Sequence, residues 1–183
     1  SSLPSSSSLP LPGPDALSLS MVMDALGRKG NWQGALQLLN DTQALPTPPS
    51  PAALRLLYKT AIAALGKERM WEGALPLFYE MHERGVPADA QVYTALMKAL
   101  KEGGRLDSAF EFLGTMKAQK ITPTRPTYNV LFSFLGKEGR VEEALKLFRE
   151  MKEALGLKGS PYDYGTLISA CGKAVMRCGG VEG

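Results

Sequence analysis

The chain has 183 residues, which is enough for one domain or slightly more with a sizeable core. Its 44% hydrophobic and 21% charged residues are ordinary for a soluble globular or solenoid protein, and a net charge of +3 permits an acidic partner without requiring one. No apolar run approaches the roughly 20 residues of a membrane span, so the sequence predicts no membrane partner.

Residues 1–15 open with SSLPSSSSLPLPGP, a low-complexity run rich in Ser and Pro. Such a composition cannot bury enough apolar surface to offset the entropy of ordering, so it predicts disorder or a linker. A transit-peptide remnant would carry Arg, and this run has none. Because no Met begins the sequence and it stops where a further helix should begin, we also expect a piece of a longer protein.

A helical stripe then recurs along the chain at a nearly constant spacing. Each copy has apolar residues at i, i+3, i+4 and i+7, which is the face of an amphipathic helix. An earlier copy begins at Leu19 without a tyrosine. The later copies are opened by tyrosines that lie 35, 35 and 36 residues apart and that we expect to pack between helices: Tyr58, Tyr93, Tyr128 and Tyr164.

A second helix is predicted after each of the first four stripes, joined to it by a short polar turn such as GKEGR. One such hairpin cannot bury both of its apolar faces, but stacked hairpins can. The sequence therefore predicts an all-α fold, an α-solenoid of helix-turn-helix repeats; an ordinary helix bundle gives no reason for the regular spacing. Small residues at one place in the second helices indicate close helix approach: Ala35, Ala74, Ala109 and Ala144.

The repeats divide the chain after residue 15 into five units. Segments such as QKITPT separate them, because β-branched and Pro residues end one helix and Thr can cap the next. The first unit is divergent and holds a long Pro-rich loop. The predicted units are 16–54, 55–89, 90–124, 125–160 and the partial 161–183.

Two of these units, VYTALMKALKEGGRLDSAFEFLGTMK and YNVLFSFLGKEGRVEEALKLFREMK, closely resemble the pentatricopeptide repeat (PPR) family, in particular its P class. The period also fits tetratricopeptide repeats, but their Trp, Leu-Gly and Tyr signature is absent from the first helices. The resemblance covers about residues 16–183. It implies a right-handed superhelix that binds single-stranded RNA in an organelle, the chloroplast ahead of the mitochondrion.

The resemblance also implies that the first helices line a concave face on which each repeat addresses one RNA base. The residue after the tyrosine and the last residue of the repeat read the Watson–Crick edge, a task that suits short polar side chains. Asn129 with Ser160 resembles the combination that favours pyrimidines, cytosine over uracil. Thr at the first place leans toward purines, and Gly165 offers no side chain. The implied base-reading pairs are Asn129 with Ser160, Thr94 with Thr124, and Lys59 with Asp89.

Two further sets of residues follow from the resemblance. An apolar residue two places before the tyrosine wedges between bases, and Leu56 and Tyr162 suit this role better than Gln91 and Pro126, which hold the same place. A basic residue near the end of the first helix contacts phosphate and supplies salt-dependent affinity. Glu102 interrupts that series, whose members are Arg28, Lys67, Lys137 and Lys173.

Each of these residues also has a local explanation that the sequence leaves open. Asn129, Thr94 and Thr124 lie near helix starts, where short polar side chains often bond to the backbone. The four cations could equally be solvated surface.

The sequence lacks the patterns of catalytic and cofactor sites. His82 is the only histidine, so neither a His-based triad nor a multi-histidine metal site can form within the chain. Cys171 and Cys178 match no zinc spacing and no disulfide framework, and no phosphate-loop or dinucleotide glycine pattern occurs. We therefore expect a protein that is not an enzyme and has no cofactor, no metal and no small-molecule substrate.

Three functions are compatible with these observations. The first is an RNA-binding repeat protein that serves organellar RNA stability, processing or translation. The second is a scaffold subunit of a larger organellar assembly, such as a ribosome or transcription complex, that contacts protein and RNA backbone. A peptide-binding repeat without RNA is the third.

Overall fold

The computed structural model describes residues 31–43, 49–156 and 158–179, with side chains as far as Ala174, and seven positions between 18 and 29 (18, 21, 22, 25, 26, 28 and 29). The predicted disordered segment 1–15 and most of the Pro-rich loop lie outside these residues. The regular structure in the described part is helical. Its helices are α1 (Trp32–Gln43), α2 (Pro51–Lys67), α3 (Trp71–Glu83), α4 (Ala90–Glu102), α5 (Leu106–Ala118), α6 (Arg125–Glu138), α7 (Val141–Leu155) and α8 (Pro161–Gly179).

The helices form hairpins that stack in chain order. α2 packs against α3, α4 against α5 and α6 against α7. The first helices α2, α4, α6 and α8 contact one another in succession, while α3, α5 and α7 form a second layer, each packed on the first helix of the next hairpin. The predicted α-solenoid is confirmed. No helix of the described part is sufficiently long and apolar to cross a bilayer.

The start of α2 shows where the helix boundaries come from. Ser50 Oγ accepts a hydrogen bond from the amide of Ala53 at 3.3 Å, and Pro51 takes the first helical position. α2 therefore begins ahead of residue 55, where the tyrosine spacing alone places the second unit. At the other end of a first helix, Gly139 closes α6 in the left-handed conformation with φ of 69°.

The tyrosines that open the first helices are core residues, as expected. Three of them are 0% exposed, and each hydroxyl donates to a polar side chain in or at the end of the second helix of its own hairpin. Tyr164 differs: it is 49% exposed and packs edge-on against Phe148, with ring centroids 5.3 Å apart. The buried hydrogen-bonded pairs are Tyr58 with Glu80 (3.0 Å), Tyr93 with Gln119 (2.8 Å) and Tyr128 with Glu150 (2.9 Å).

The small residues of the second helices are buried as well. The alanines of α1, α3, α5 and α7 are all 0% exposed, which confirms the close approach that the sequence indicates. Aromatic residues fill the space between hairpins: Phe78 of α3 contacts Tyr93 and Phe112 of the next hairpin, with centroids 5.2 and 5.3 Å away. The repeats thus bury their apolar faces against their neighbours rather than within a single hairpin.

Candidate functional site

Three adjoining cavities follow the layer formed by the first helices. They have volumes of about 420 Å³ between α2 and α4, 680 Å³ between α4 and α6, and 360 Å³ between α6 and α8. Lys98 and Pro126 line both of the first two, and Tyr162 lines both of the last two. The cavities therefore form one continuous trough across the four first helices, which we call the groove.

Most residues that the sequence singled out lie in this groove. Twelve residues have an implied base-reading, wedging or phosphate-contacting role, and of these only Asp89 and Ser160 do not line any of the three cavities. Arg28, Leu56, Lys59, Thr94 and Thr124 line the first cavity, Lys67 the first and the middle, Asn129 the middle, Lys137 and Lys173 the third, and Tyr162 the middle and third.

Asn129 lines the middle cavity with an amide that nothing holds in place. Its Oδ1 is buried without a hydrogen-bond partner. Its Nδ2 makes no hydrogen bond in the described part of the chain and, unlike Oδ1, is not buried. The local backbone bond that could have explained this residue is therefore not formed. A buried unpaired polar atom is uncommon in folded proteins, and an exchangeable water or ligand is one explanation for it.

Thr94 occupies the same place in the preceding repeat, but its hydroxyl is engaged. It donates to the carbonyl of Ala90 at 2.6 Å, so the 2.9 Å contact with Thr127 must be a bond that Thr127 donates. Thr124 then donates to Thr127 at 3.0 Å. In this hydroxyl chain the hydrogens of Thr94, Thr124 and Thr127 are all donated within the protein, so only oxygen lone pairs remain for any other partner. For Thr94, the local explanation is the one that the structure supports.

Lys59 and Asp89, the implied pair of the second repeat, also have bonds within the protein. Lys59 donates to Gln91 at 3.0 Å. Asp89 accepts from the amide of Gln91 at 2.9 Å as the cap of α4, and its second oxygen lies 3.2 Å from Arg55.

Ser160 is the cap of α8. Its Oγ accepts from the amide of Asp163 at 3.3 Å, and its own amide donates to the Asp163 carboxylate at 2.7 Å. The Ser160 hydroxyl hydrogen remains available.

The cations of the groove are more numerous than the sequence indicated. Lys67, Lys137 and Lys173 line it as expected from their register. Lys98 and Lys101 also line it, although neither falls at that register. The signal that could have identified them is that this repeat has lysine where the other tyrosine-led first helices have alanine, serine or glycine.

Two of the four wedge positions, those of Pro126 and Tyr162, lie at junctions between cavities. Tyr162 stands 53% exposed where the middle and third cavities meet, so its ring is accessible for stacking. Leu56 is half-buried in the first cavity, and Pro126 separates the first cavity from the middle one.

Within the described residues, no group of three His, Cys, Asp or Glu side chains could hold a metal ion.

Family models match most of this solenoid. A pentatricopeptide repeat domain model matches residues 76–138, a PPR repeat family model matches residues 123–173, and a PPR repeat model matches residues 18–43 and 57–86. The chain belongs to the pentatricopeptide repeat family. Its assignment to the P class stays a prediction.

Curated PPR proteins are similar over parts of their length. The chloroplastic pentatricopeptide repeat-containing protein 10 of Zea mays is 30% identical over 157 residues, which are 86% of this chain and 15% of that protein. A chloroplastic PPR protein of Arabidopsis thaliana is 35% identical over 100 residues, 54% of this chain and 20% of that protein. The chain spans no more than a fifth of either relative.

Solved PPR structures have the same architecture. PPR10 in complex with an 18-nucleotide psaJ RNA element matches with a TM-score of 0.66 and 30% identity, over 87% of this chain and 23% of that one. The PPR domain of Arabidopsis thaliana protein-only RNase P 1, in complex with tRNA, matches with a TM-score of 0.72 over 91% of this chain and 84% of that one. At 17% identity, the second match supports the PPR fold alone.

Proposed function

We propose that this chain binds single-stranded RNA along the groove and serves RNA stability, processing or translation in an organelle. The observation that carries the proposal is the unanchored amide of Asn129 in a cavity lined by three lysines, Lys67, Lys98 and Lys101. Cations attract the phosphate backbone whatever the sequence, and a free amide can select a base. The groove offers both in one place.

Asn129 is the base-reading residue that the geometry supports best. A pyrimidine edge places a donor next to an acceptor, N4 and N3 in cytosine and N3 and O4 in uracil. An amide matches either pattern with two hydrogen bonds, and its rotation about χ2 breaks no bond inside the protein. Adenine and guanine also place a donor next to an acceptor, so the preference for pyrimidines, cytosine over uracil, rests on the family resemblance and on Ser160.

The third repeat, with Thr94 and Thr124, is the weaker reader. Its hydroxyl chain leaves only acceptors, and every base has at least one donor on its Watson–Crick edge. Acceptors alone therefore discriminate poorly between bases. Lys59 and Asp89 of the second repeat can read a base only after releasing Gln91 or Arg55.

Location in a chloroplast or mitochondrion is part of the proposal. Relatives carry both words in their names, the maize protein as chloroplastic and an Arabidopsis protein that is 30% identical over 95 residues as mitochondrial. We propose that the chain itself acts by binding and not by catalysis. The polar lining of the groove consists of amide, hydroxyl and cationic side chains with a single carboxylate, Glu102, and no group of three His, Cys, Asp or Glu side chains among the described residues could hold a metal ion.

The engaged side chains of the second and third repeats favour one alternative, a scaffold subunit that contacts RNA backbone and protein. Binding of the chain to a pool of randomised single-stranded RNA, at about 50 and 200 mM salt, tests both functions. Binding with an enriched pyrimidine supports base reading, and salt-sensitive binding without enrichment supports the scaffold. Absence of binding at the lower salt would refute RNA binding by this chain.

A further inference from the structure

We infer that Lys98 and Lys101 form a phosphate clamp in the third repeat that replaces the cation missing at Glu102. The inference rests on the proposed binding of RNA and assigns a backbone contact to two residues outside the usual register. Three observations on α4 and its neighbours carry it.

The first observation is the position of the two lysines in the groove. Lys98 lines both the first and the middle cavity, and Lys101 lines the middle one. They are three residues apart on α4, so their side chains extend from the same side of the helix. Lys98 has no acidic partner in the described part of the chain, and the acid nearest to Lys101 is Glu102, with Nζ and Oε1 4.0 Å apart.

The second observation is the comparison with the other tyrosine-led first helices. At the place of Lys98 these have Ala63, Ser133 and Ser169, and at the place of Lys101 they have Gly66, Gly136 and Gly172. At the place of Glu102 the same helices have Lys67, Lys137 and Lys173. The third repeat thus has an acid where its neighbours have a cation, and cations where they have small residues.

The third observation is the packing at the place of Lys101. Glycine there allows the next first helix to approach very closely: a Cβ on Gly66 would lie 2.8 Å from Ala99 Cβ, and one on Gly136 would lie 2.9 Å from Thr166 Cγ2. A lysine does not allow this approach. The cavity between α4 and α6, which Lys101 lines, is the largest of the three at about 680 Å³.

These features together provide a cationic pocket next to the base-reading side chain. Lys98 and Lys101 lie on one wall of the middle cavity, and Asn129 lies on the wall formed by α6. A nucleotide whose base meets Asn129 would bring its phosphate within reach of the lysines. The third repeat then holds the backbone while the hydroxyls of Thr94 and Thr124 remain bonded to Thr127.

Neutralising the lysines tests the clamp through its salt dependence. Each lysine–phosphate contact to a single strand contributes a slope of about 0.7 in log K against log salt, or about a 2.6-fold effect between 50 and 200 mM. The double variant Lys98→Ala/Lys101→Ala should therefore have a salt slope about 1.4 lower than that of the wild type. The ratio of wild-type to variant affinity should then fall about sevenfold between about 50 and 200 mM salt. The probe is the randomised single-stranded RNA pool, and Lys146→Ala on α7, away from the groove, is the matched control.

A gain of binding provides a test that misfolding cannot mimic. Glu102→Gln removes the acid beside Lys101, and we expect binding to tighten about 1.5- to 5-fold at low salt, the range of one exposed ion pair. The clamp also predicts that replacing the phosphate by a neutral methylphosphonate at one or two linkages of a bound RNA weakens binding by the wild type but not by the double lysine variant.

The outcomes separate the clamp from the proposed function. If Lys137→Ala weakens binding while the double lysine variant binds with an unchanged salt slope, the clamp is wrong and RNA binding stands. If the unmodified chain binds no RNA at low salt, the proposed function fails and the clamp fails with it. Weaker binding of the double variant with the wild-type salt slope would also contradict a phosphate contact.

Discussion

The hydroxyl of Tyr128, near the start of α6, donates a hydrogen bond to Glu150 of α7 over 2.9 Å. Burial raises the pKa of this tyrosine, and the bond to the negatively charged Glu150 raises it further. The corresponding Tyr58 is bonded to Glu80 and has its pKa raised for the same reasons, burial first. The bond between the two helices of a hairpin therefore depends on a protonated tyrosine.

This dependence predicts a loss of stability at alkaline pH. Above a pH of about 10 the tyrosines of the unfolded chain lose their protons, while those of the folded chain keep them. The folded state then binds more protons, so the free energy of unfolding falls as pH rises from there toward the folded-state pKa. The double variant Tyr58→Phe/Tyr128→Phe should be about 2 kcal/mol less stable than the wild type at pH 7, about 1 kcal/mol for each hydrogen bond. That gap should narrow above a pH of about 10.

Urea unfolding at neutral pH and at several alkaline values measures the gap. A gap that stays constant from neutral pH to about 11 would mean that these tyrosines do not carry the alkaline loss.

The spacing of the tyrosines was sufficient to predict the solenoid but not the details of each hairpin. A period of 35 residues requires equivalent helices, and the burial of Tyr58, Tyr93 and Tyr128 follows from their apolar stripes. The hydroxyl partners do not follow. In the third repeat the residue equivalent to Glu80 is Thr115, which is too short, so Tyr93 bonds to Gln119 one turn later.

The groove could be predicted only in part for a similar reason. Asn129 and Thr94 hold the same register, yet the Asn129 amide has no hydrogen bond within the described structure, whereas the Thr94 hydroxyl is bonded to Thr127. The difference lies in the next repeat. Thr127 donates to Thr94, whereas its equivalent, Asp163, accepts from Arg125 at 2.9 Å and from the amide of Ser160 through Oδ2, and its Oδ1 is buried without a partner in the described structure. Such a pairing depends on two residues more than 30 positions apart, which a repeat pattern does not specify.

The close contact between α2 and α4 predicts an asymmetric response to alanine at two glycines. Gly66→Ala places a Cβ 2.8 Å from Ala99 Cβ and 2.9 Å from Ala99 Cα, so the two helices must separate. We expect a loss of about 1–3 kcal/mol in the free energy of unfolding, as for overpacked cores. Gly114→Ala in α5 is the control, because no atom lies within 4 Å of its Cβ and a helical alanine should gain about 0.5–1 kcal/mol.

Urea unfolding of both glycine variants measures these changes. Equal stability of Gly66→Ala and Gly114→Ala would show that α2 and α4 adjust without cost, contrary to the packing described above.

The hydroxyl chain predicts that Thr94 matters for stability more than for recognition. Thr94→Val keeps the shape but removes the acceptor of the buried Thr127 hydroxyl, which can then donate only to the exposed Thr124 hydroxyl 3.0 Å away. The loss should be about 0.5–1.5 kcal/mol, the net contribution of one hydrogen bond. Thr115→Val is the matched control, since its exposed hydroxyl only donates to the carbonyl of Glu111, and its effect should stay within about 0.5 kcal/mol.

Chemical denaturation measures both threonine variants, and selection from the randomised RNA pool measures recognition. We expect Thr94→Val to leave the base preferences of the enriched RNAs unchanged. A changed preference at one nucleotide would place Thr94 among the base-reading residues after all.

Asn129 and Lys137 predict opposite kinds of change in RNA binding. Asn129→Ala removes the amide that can match a pyrimidine edge, so preference at one nucleotide should relax by about 1–3 kcal/mol of discrimination while other positions keep theirs. Lys137→Ala removes one cation of the third cavity and should weaken binding to all sequences, with the salt slope lower by about 0.7. Stability should hardly change in either variant, because the described structure shows no hydrogen bond or ion pair for either side chain.

Selection from randomised RNA with each variant, compared with Lys146→Ala on α7, separates the two effects. If Asn129→Ala enriched the same pyrimidine as the wild type, the unanchored amide would not be the reader, and the groove would be a backbone-binding surface in this repeat as well. If Lys137→Ala shifted the preferred base instead of the salt slope, its ammonium would contact a base edge and not phosphate, since a phosphate contact carries no sequence information.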